Sequence, residues 1–549
     1  MAKVLFINPV VREEDVPRHI PYGEALLAAI AIQNGHQVAV LDCNAWRIPP
    51  SKVGEAAAAE NWDVIAIGGL STTYGYIKTA CKAIKQANHN ALLVAGGGFL
   101  TSMPAEIMEW LPEIDIGIVG EAFRTFPEIL QMMDERDYAF DDCKGVIWDG
   151  QLTPARPVIH DLDSLPYPAW DLFPLEEVYF KNSSALYSED AYGCQRRIDI
   201  NGSYGCSLVC KYCWHLGTTG DMRIEKNPAA GNSNDVVFTY GRNLRYHSPR
   251  YIVDMVSDLK RRYDIDFANF LDENLMTMHT SSGRKWLYEI CEEWDKAGLT
   301  PERGKSPQTG VFWSGTSHAS LYTKDVLKAM YEAGCTHLVY GLESFDPYIL
   351  KHLGKGTTRE NNLRSVGDCL ESGIIPVPNF ILGFPDETLQ SVRNTLSGLI
   401  ELGIHCKPHF ATAYPGSEWY YSYKDSIVQQ YGGNLEAYIL DLGDASKITG
   451  TISKHFTGVE LLGLQQIMAQ RNMRLLDLFE KSYVPRETLV KPQQSFNFQA
   501  KKLPGPIEGG SSQSGRDRKW QGSKAIQVFP RNSQRDGLTT VQPHGTPGG

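Results

Sequence analysis

The sequence predicts an α/β protein made of two successive sheet units, followed by a mainly helical segment and a disordered tail. Three observations carry that prediction. Over residues 1–150, strand and helix patterns alternate, with glycines at the ends of three of the strands, the order that builds an open parallel sheet. After a segment rich in proline and aspartate, the alternation resumes and runs to about residue 425. Where it resumes, one loop carries three cysteines, Cys206, Cys210 and Cys213, in a C-x3-C-x2-C spacing.

In the first unit, Val4–Ile7 is a short apolar strand closed by Asn8-Pro9, and Tyr22–Asn34 keeps helical spacing up to Gly35. Gln37–Leu41 is the next strand. Val64–Ile67 then runs into Gly68-Gly69 and a helix through Ile77, Ala80 and Ile84. Leu92–Ala95 runs into Gly96-Gly97-Gly98, and Ile116–Val119 into Gly120-Glu121, before a helix that includes Phe126 and Leu130. Open parallel sheets bind ligands beyond the carboxyl ends of their strands. These glycines lie there, where backbone must come close to a ligand.

Asp161–Asp171, DLDSLPYPAWD, breaks both periodicities and is expected as an ordered crossing segment. A short strand, Arg197–Asn201, then feeds the cysteine loop. Ser248-Pro249 makes an N-cap and first turn for a helix through Ile252, Val253, Val256 and Leu259. Phe267–Leu271 is a strand ending in Asp272-Glu273-Asn274, and a helix from Ser282 to Lys296 leads to the strand Gly310–Ser314. Thr323 caps a helix ending at Gly334, before the strand Thr336–Tyr340. Thr358 caps another ending at Gly373, before Val377–Leu382. The helix Leu389–Leu402 and the strand Lys407–Thr412 complete about six β/α units, short of the usual eight of a closed barrel. Leu216–His247 is polar, glycine-dotted and long for a connection inside a barrel. Leu461–Leu478 repeats apolar residues at helical spacing, which suits packing against the barrel. From about Gln499 the chain is Gly/Ser/Pro-rich, locally basic and without period, the composition of a solvated tail.

Size and charge narrow the function classes. At 549 residues the chain has room for two or three domains with their own cores. A net charge of -11 argues against a dominant nucleic-acid surface. MAKVLFINPVV goes straight into a strand pattern, without the apolar region and cleavage site of a signal peptide. No apolar run approaches the roughly 20 residues of a membrane helix. The 11 cysteines are odd in number and scattered through the first 406 residues, which argues against a disulfide framework and for a reducing cytoplasm.

Asn201–His215, NGSYGCSLVCKYCWH, carries the chemistry. Cysteine thiolates are soft ligands for iron–sulfur clusters and for zinc. Three of them on a [4Fe–4S] cluster leave one iron free to take a substrate. Two other readings stay open on spacing alone: His215 completing a Cys3His zinc site, or three buried thiols. Zinc knuckles supply ligands in pairs from separated places, and this trio stands alone.

With Tyr212 just before the third cysteine, the loop resembles the signature of the radical S-adenosylmethionine (SAM) superfamily. FLDENLMT, GLESFDPYILKHLGKGTT and NFILGFPDET are similar to further pieces of one subclass. PYGEALLAAIAIQNGHQVAVLD, GGLSTTYGYIKTACKAIK, AGGGFLTSMPAEIM and VGEAFRTFPEIL resemble that subclass's N-terminal cobalamin-binding domain. The resemblance implies a Rossmann-like cobalamin-binding domain at 1–150, a linker at 151–195 and a partial (β/α)6 radical SAM barrel at 196–425. A helical region at 426–495 and a disordered tail at 496–549 would follow. It implies that Cys206, Cys210 and Cys213 hold a [4Fe–4S] cluster, and that Tyr212, Asp272, Glu273, Asn274, Glu343 and Ser344 lie about SAM. Ser71, Thr72, Gly96, Gly97, Gly98, Thr101, Gly120 and Glu121 would lie about cobalamin. The chain departs from the pattern twice. The D-x-H-x-x-G motif that supplies a histidine to cobalt is absent, Asp15 and His19 standing at another spacing. SGTSHAS, around His318, lacks an arginine that many relatives carry. Lys351 and Lys355 read as solvated or loop-anchoring.

The resemblance implies an enzyme that methylates an unactivated carbon through a 5′-deoxyadenosyl radical and methylcobalamin. An electron donor, a reductase with flavodoxin or ferredoxin, would serve it, and the substrate would be a small molecule, lipid, tetrapyrrole or peptide. Two alternatives keep their place: oxidative cyclisation or rearrangement on the same architecture, as in anaerobic tetrapyrrole cyclases, and a non-catalytic corrinoid or iron–sulfur binding protein.

Overall fold

The computed structural model describes residues 1–136, 138–182, 188–214, 220–227, 233–305, 309–485, 489–490 and 538–541. His215, and the expected tail apart from 538–541, lie outside the described residues.

The first sheet takes its parallel strands from apolar runs that are buried on both faces, as strands flanked by helices must be. They are β1 (Lys3–Asn8), β2 (Gln37–Asp42), β3 (Val64–Gly69), β4 (Leu92–Gly97) and β5 (Ile116–Ile118), in spatial order β2-β1-β3-β4-β5. An antiparallel pair, β6 (Val146–Trp148) and β7 (Gln151–Leu152), extends the β5 edge, so this sheet runs just past residue 150. The carboxyl ends of β3 and β4 meet at Gly69 and Gly97. Gly97 has φ +92°, and a Cβ there would stand 2.7 Å from the Gly69 carbonyl oxygen, so only glycine fits.

Six parallel strands form the second sheet in chain order: β8 (Arg197–Ile200), β13 (Phe267–Phe270), β14 (Phe312–Ser317), β15 (Cys335–Glu343), β16 (Ile375–Leu382) and β17 (His409–Phe410). This is the six-unit partial barrel that the sequence predicts. The helices between them start where the capping residues say: Ser248, Thr323, Thr358 and Thr388 each accept a hydrogen bond from the amide three residues on.

The structure differs from the sequence reading in several places. The helix expected over Ser282–Lys296 begins only at Trp286, and a second helix that the sequence reading lacks, Leu275–Ser281, stands before it, the two parted where Gly283 and Arg284 take positive φ. The polar connection after the cysteines is largely a hairpin of β10 (Gly220–Asn227) and β11 (Ser233–Arg242). The helix expected over Leu461–Leu478 is likewise two, Gly458–Ala469 and Met473–Ser482, parted at Arg471 with φ +51°. The division at 425/426 falls inside the helix Glu418–Gln430. Within the expected disordered tail, Leu538–Val541 forms a strand, β18, antiparallel to β2. Edge strands expose a row of backbone groups that such a β-branched segment can pair.

The two sheets face each other with their carboxyl ends adjoining. Buried Arg245 pairs with Glu121 at 2.9 Å, His19 Nδ1 lies 2.7 Å from Asp199 Oδ2, and the Trp214 indole N–H donates to Ser102 Oγ at 3.0 Å. Lys424 adds an ion pair to Glu106 at 3.1 Å. His19 is thus spent on the barrel strand β8. Among the described residues no helix is long and apolar enough to cross a membrane.

Candidate functional site

The cysteine loop follows β8 and is braced before it reaches Cys206. Residues Ser203–Tyr204 (β9) pair antiparallel with Arg245–Tyr246 (β12). Asp272, at the end of β13, accepts hydrogen bonds from the Gly202 N–H (2.9 Å) and the Ser203 hydroxyl. Its neighbour Glu273 accepts from the Gly205 N–H at 3.2 Å. The loop then turns on itself, the Cys213 N–H donating to the Cys210 carbonyl at 3.0 Å.

Cys206, Cys210 and Cys213 line one cavity of about 550 Å³ together with Tyr212, Glu273, Asn274 and Glu343. Among the described residues, no three His, Cys, Asp or Glu side chains close around a point as they would for one ion. The cysteines instead share a cavity wall, and a three-thiol donor set with room beside it suits a cluster carrying a further ligand. Burial pushes both the Cys206 and the Cys210 thiol up, Cys210 to about 12 against the opposing pull of Lys355. Loading iron therefore displaces protons from these thiols.

Tyr212, Glu343 and Lys355 form a buried polar knot against the cysteines. The Tyr212 hydroxyl donates to Glu343 Oε1 at 2.7 Å, the Lys355 ammonium pairs with the same oxygen, and Lys355 Nζ lies 3.2 Å from the Tyr212 hydroxyl. Burial alone would lower the Lys355 pKa. The Glu343 carboxylate and the thiols of Cys210 and Cys213 outweigh it and hold the ammonium above its ordinary value. Glu343 itself has φ +64°, a left-handed conformation that costs a non-glycine residue energy and recurs at functional sites. The room is provided by Gly341, where an added Cβ would collide with the Glu343 carboxylate and the Lys355 ammonium. Lys355, 7% exposed, is thus neither solvated nor merely a loop anchor.

Three of the expected SAM residues stand otherwise than the sequence suggests. Asp272 is 1% exposed, braces the loop from behind and is not on the cavity wall. Ser344 is fully buried, its hydroxyl 2.8 Å from Thr395 Oγ1 and accepting from the Asp346 N–H, also behind the wall. Asn274 reaches the wall, but its side chain also caps the helix Leu275–Ser281 by accepting from the Met276 N–H at 3.1 Å. His318 lines the cavity with its pKa lowered to about 4, first by burial and then by Lys355. Its Nδ1 accepts from the Ser320 N–H, so Nε2–H donates to the Lys355 carbonyl at 3.0 Å. That neutral ring does not replace a missing arginine.

Burial pushes the Asp272 carboxyl up from an ordinary 3.8 to about 7, against the pull of Ser203 and Gly202. The folded chain holds a proton that the unfolded chain releases. The stability tied to it is complete below pH about 4 and is lost as pH rises through about 7. Asp272→Asn is expected to flatten that decline, read as the dependence of the denaturant midpoint on pH for both proteins.

The second cavity, about 540 Å³, lies over the carboxyl ends of β1, β3, β4 and β5. Gly96, Gly97, Gly98, Gly120 and Glu121 line it. Ser71 and Thr101 are buried beside it, Thr101 Oγ1 accepting from the Gly120 N–H at 3.0 Å, while half-buried Thr72 lies off the wall. Glu121 is held by Arg245 and by the Ile159 N–H. The wall suits a large ligand rich in amides. At Gly23 an added Cβ would meet nothing within 4 Å. Glu24 Oε1, Tyr204 Oη and Arg245 Nε are buried in wall residues without a hydrogen-bond partner among the described residues. Such groups are costly unless something satisfies them.

Two residues, Trp214 and Glu273, line both cavities. The sequence reading named Glu273 for SAM alone and missed Trp214, Lys355, Tyr204, Arg245 and Glu24. Trp214 stands in the quoted cysteine stretch and Glu24 in PYGEALL, so their positions were visible but not their neighbours.

Comparison with known proteins agrees with this geometry. Residues 10–130 match the B12 binding domain family and residues 200–398 the radical SAM superfamily. An uncharacterized methyltransferase of Pyrococcus horikoshii is 26% identical over 444 residues, covering 78% of this chain and 84% of its own. The anaerobic magnesium-protoporphyrin IX monomethyl ester cyclase of Rubrivivax gelatinosus is 23% identical, covering 79% and 71%. The radical S-adenosylmethionine methyltransferase TsrM from Kitasatospora setae, solved with tryptophan substrate and a SAM analogue, aligns with TM-score 0.58 at 18% identity, covering 79% and 77%. At that identity the likeness is one of fold.

Proposed function

This chain belongs to the radical SAM proteins that carry an N-terminal B12 binding domain, and we propose that it methylates an unactivated carbon of its substrate. The observation that carries this reading is the shared wall: the cysteine cavity and the strand-end cavity adjoin at Trp214 and Glu273. Cys206, Cys210 and Cys213 would hold the [4Fe–4S] cluster, with Tyr212, Glu273, Asn274 and Glu343 about SAM. Gly96, Gly97, Gly98 and Gly120 would let the corrinoid approach the sheet. When bound, these groups supply one-electron cleavage of SAM and a transferable methyl group. The protein's own part is to orient and to exclude water. Glu343 and Asn274 offer acceptors to the SAM ammonium or ribose hydroxyls, and two adjoining cavities bring the reacting carbon near both groups.

Oxidative cyclisation is the second reading, favoured by the cyclase of Rubrivivax gelatinosus, which covers most of this chain. We assign the electron to a flavodoxin or ferredoxin with its reductase. The substrate is a small molecule, lipid, tetrapyrrole or peptide. A reducing cytoplasm suits the 11 cysteines, all of them among the described residues and none in a disulfide.

Mass spectrometry of SAM products tests the reading. Reconstituted with iron, sulfide and hydroxocobalamin, then given SAM and dithionite, the protein is expected to form both 5′-deoxyadenosine and S-adenosylhomocysteine. With its substrate it should yield a product heavier by one CH2. Deoxyadenosine without S-adenosylhomocysteine, and a product that loses hydrogen, means cyclisation. Neither nucleoside would overturn the enzyme reading.

A further inference from the structure

Trp214 follows the last cysteine of the cluster loop directly, yet its indole reaches the other sheet. It is half-buried and forms part of the wall of both cavities. Its path is open because two glycines flank it. An added Cβ at Gly98 would collide with the six-membered ring of the indole, and one at Gly416 would stand 3.2 Å from Nε1. The indole N–H donates to Ser102 Oγ at 3.0 Å, in the short helix that begins at Gly98. The ring therefore lies in a slot without side chains on either flank and is latched by a neutral hydrogen bond. Such a bond, exchanged against water, contributes little net stabilisation.

We propose that Trp214 is a movable partition between the cluster cavity and the corrinoid cavity. This rests on the reading above. Closed, with its N–H on Ser102, the indole keeps the radical formed at the cluster from reaching cobalt. Swung aside, it opens the passage through which the substrate carbon meets the methyl donor. The need for a partition follows from electron counting. One electron cleaves the sulfur–carbon bond of SAM, giving methionine and the 5′-deoxyadenosyl radical. Cob(II)alamin carries one unpaired electron. If the two meet, these electrons pair in a cobalt–carbon bond, cobalt becomes Co(III), and no other reactant is needed. That recombination consumes both reagents, and an aromatic wall between the cavities prevents it.

The test uses the full chain, reconstituted with iron, sulfide and cobalamin, the corrinoid reduced to cob(II)alamin, and SAM and dithionite added in the dark without substrate. Trp214→Ala removes the wall, Trp214→Phe keeps most of its bulk, and Ser102→Ala removes only the latch. The readouts are bound iron, bound corrinoid and the light-sensitive adenosyl–cobalt adduct, identified by absorbance and mass. Wild type and Trp214→Phe are expected to release free deoxyadenosine with little adduct. Trp214→Ala should form at least about tenfold more adduct at unchanged iron and corrinoid content, with Ser102→Ala in between. Equal adduct in Trp214→Ala and wild type, with both groups retained, would overturn the partition while leaving the proposed function standing. Trp214→Ala that loses its corrinoid, with Ser102→Ala at the wild-type level, would make Trp214 part of the corrinoid seat and overturn it too. Wild type that retains no corrinoid or makes no deoxyadenosine would overturn both.

Discussion

Cys210→Ser is expected to leave the protein folded but without a working cluster, and to abolish deoxyadenosine formation. Cys210 is 4% exposed, with its backbone carbonyl fixed by the Cys213 N–H. No other cysteine lines the cavity besides Cys206 and Cys213, so no described thiol can take its place. Removing an outer partner of a metal ligand costs about 10–100-fold, and removing one of three ligands should cost far more. The checks are iron content after reconstitution and deoxyadenosine per protein. The oxygen of serine is the harder donor and does not rescue a soft iron–sulfur site. Wild-type iron content in the variant would mean that the cluster is held elsewhere.

Lys355→Met should have the next largest effect. Lys355 is the cationic partner of Glu343, which is 4% exposed and accepts from Tyr212 as well. Methionine fills the space of the side chain but leaves a carboxylate buried with only a phenol to meet it. Breaking a buried pair by removing one member costs about 3–5 kcal/mol. The loss should appear in the denaturant midpoint, together with weaker SAM binding, since Glu343 loses the cation that holds its carboxylate in place. The double variant Lys355→Met/Glu343→Gln is expected to recover much of the stability without recovering SAM binding. If the single variant is as stable as wild type, the knot is not the structural element described above.

How much of this was legible in the sequence depends on the range of the interaction. The strands of the first sheet are apolar runs, three of them leading into glycine, and Gly97 is forced by a contact with Gly69 that belongs to adjacent strand ends. The cysteine loop is local, and so are the threonine and serine caps of the barrel helices. What failed was the direction of neighbouring side chains. Asp272 and Glu273 are consecutive just past the end of β13, and their side chains leave the chain in different directions. Both therefore do not face one cavity: Glu273 does, and Asp272 turns back to brace Gly202 and Ser203. Glu343 and Ser344 also divide, Glu343 turning to the cavity from its left-handed conformation and Ser344 going to Thr395. Lys355, Trp214 and Arg245 were out of reach for a different reason. Each matters through a partner far away in the chain, respectively at Tyr212, in the first sheet's helix at Ser102, and at Glu121. Nothing in local composition separates such a lysine or arginine from a solvated one.

The central claim is that the cluster and the corrinoid sit in adjoining cavities of one chain, divided by Trp214 and Glu273. Electron paramagnetic resonance tests it most directly. In protein loaded with both groups, cob(II)alamin is recorded with the cluster oxidised and again with it reduced. If the cavities adjoin as described, reducing the cluster should broaden the cob(II)alamin signal and speed its relaxation through magnetic coupling. A cob(II)alamin signal indifferent to the state of the cluster, with both groups demonstrably bound, would place them apart and contradict the account.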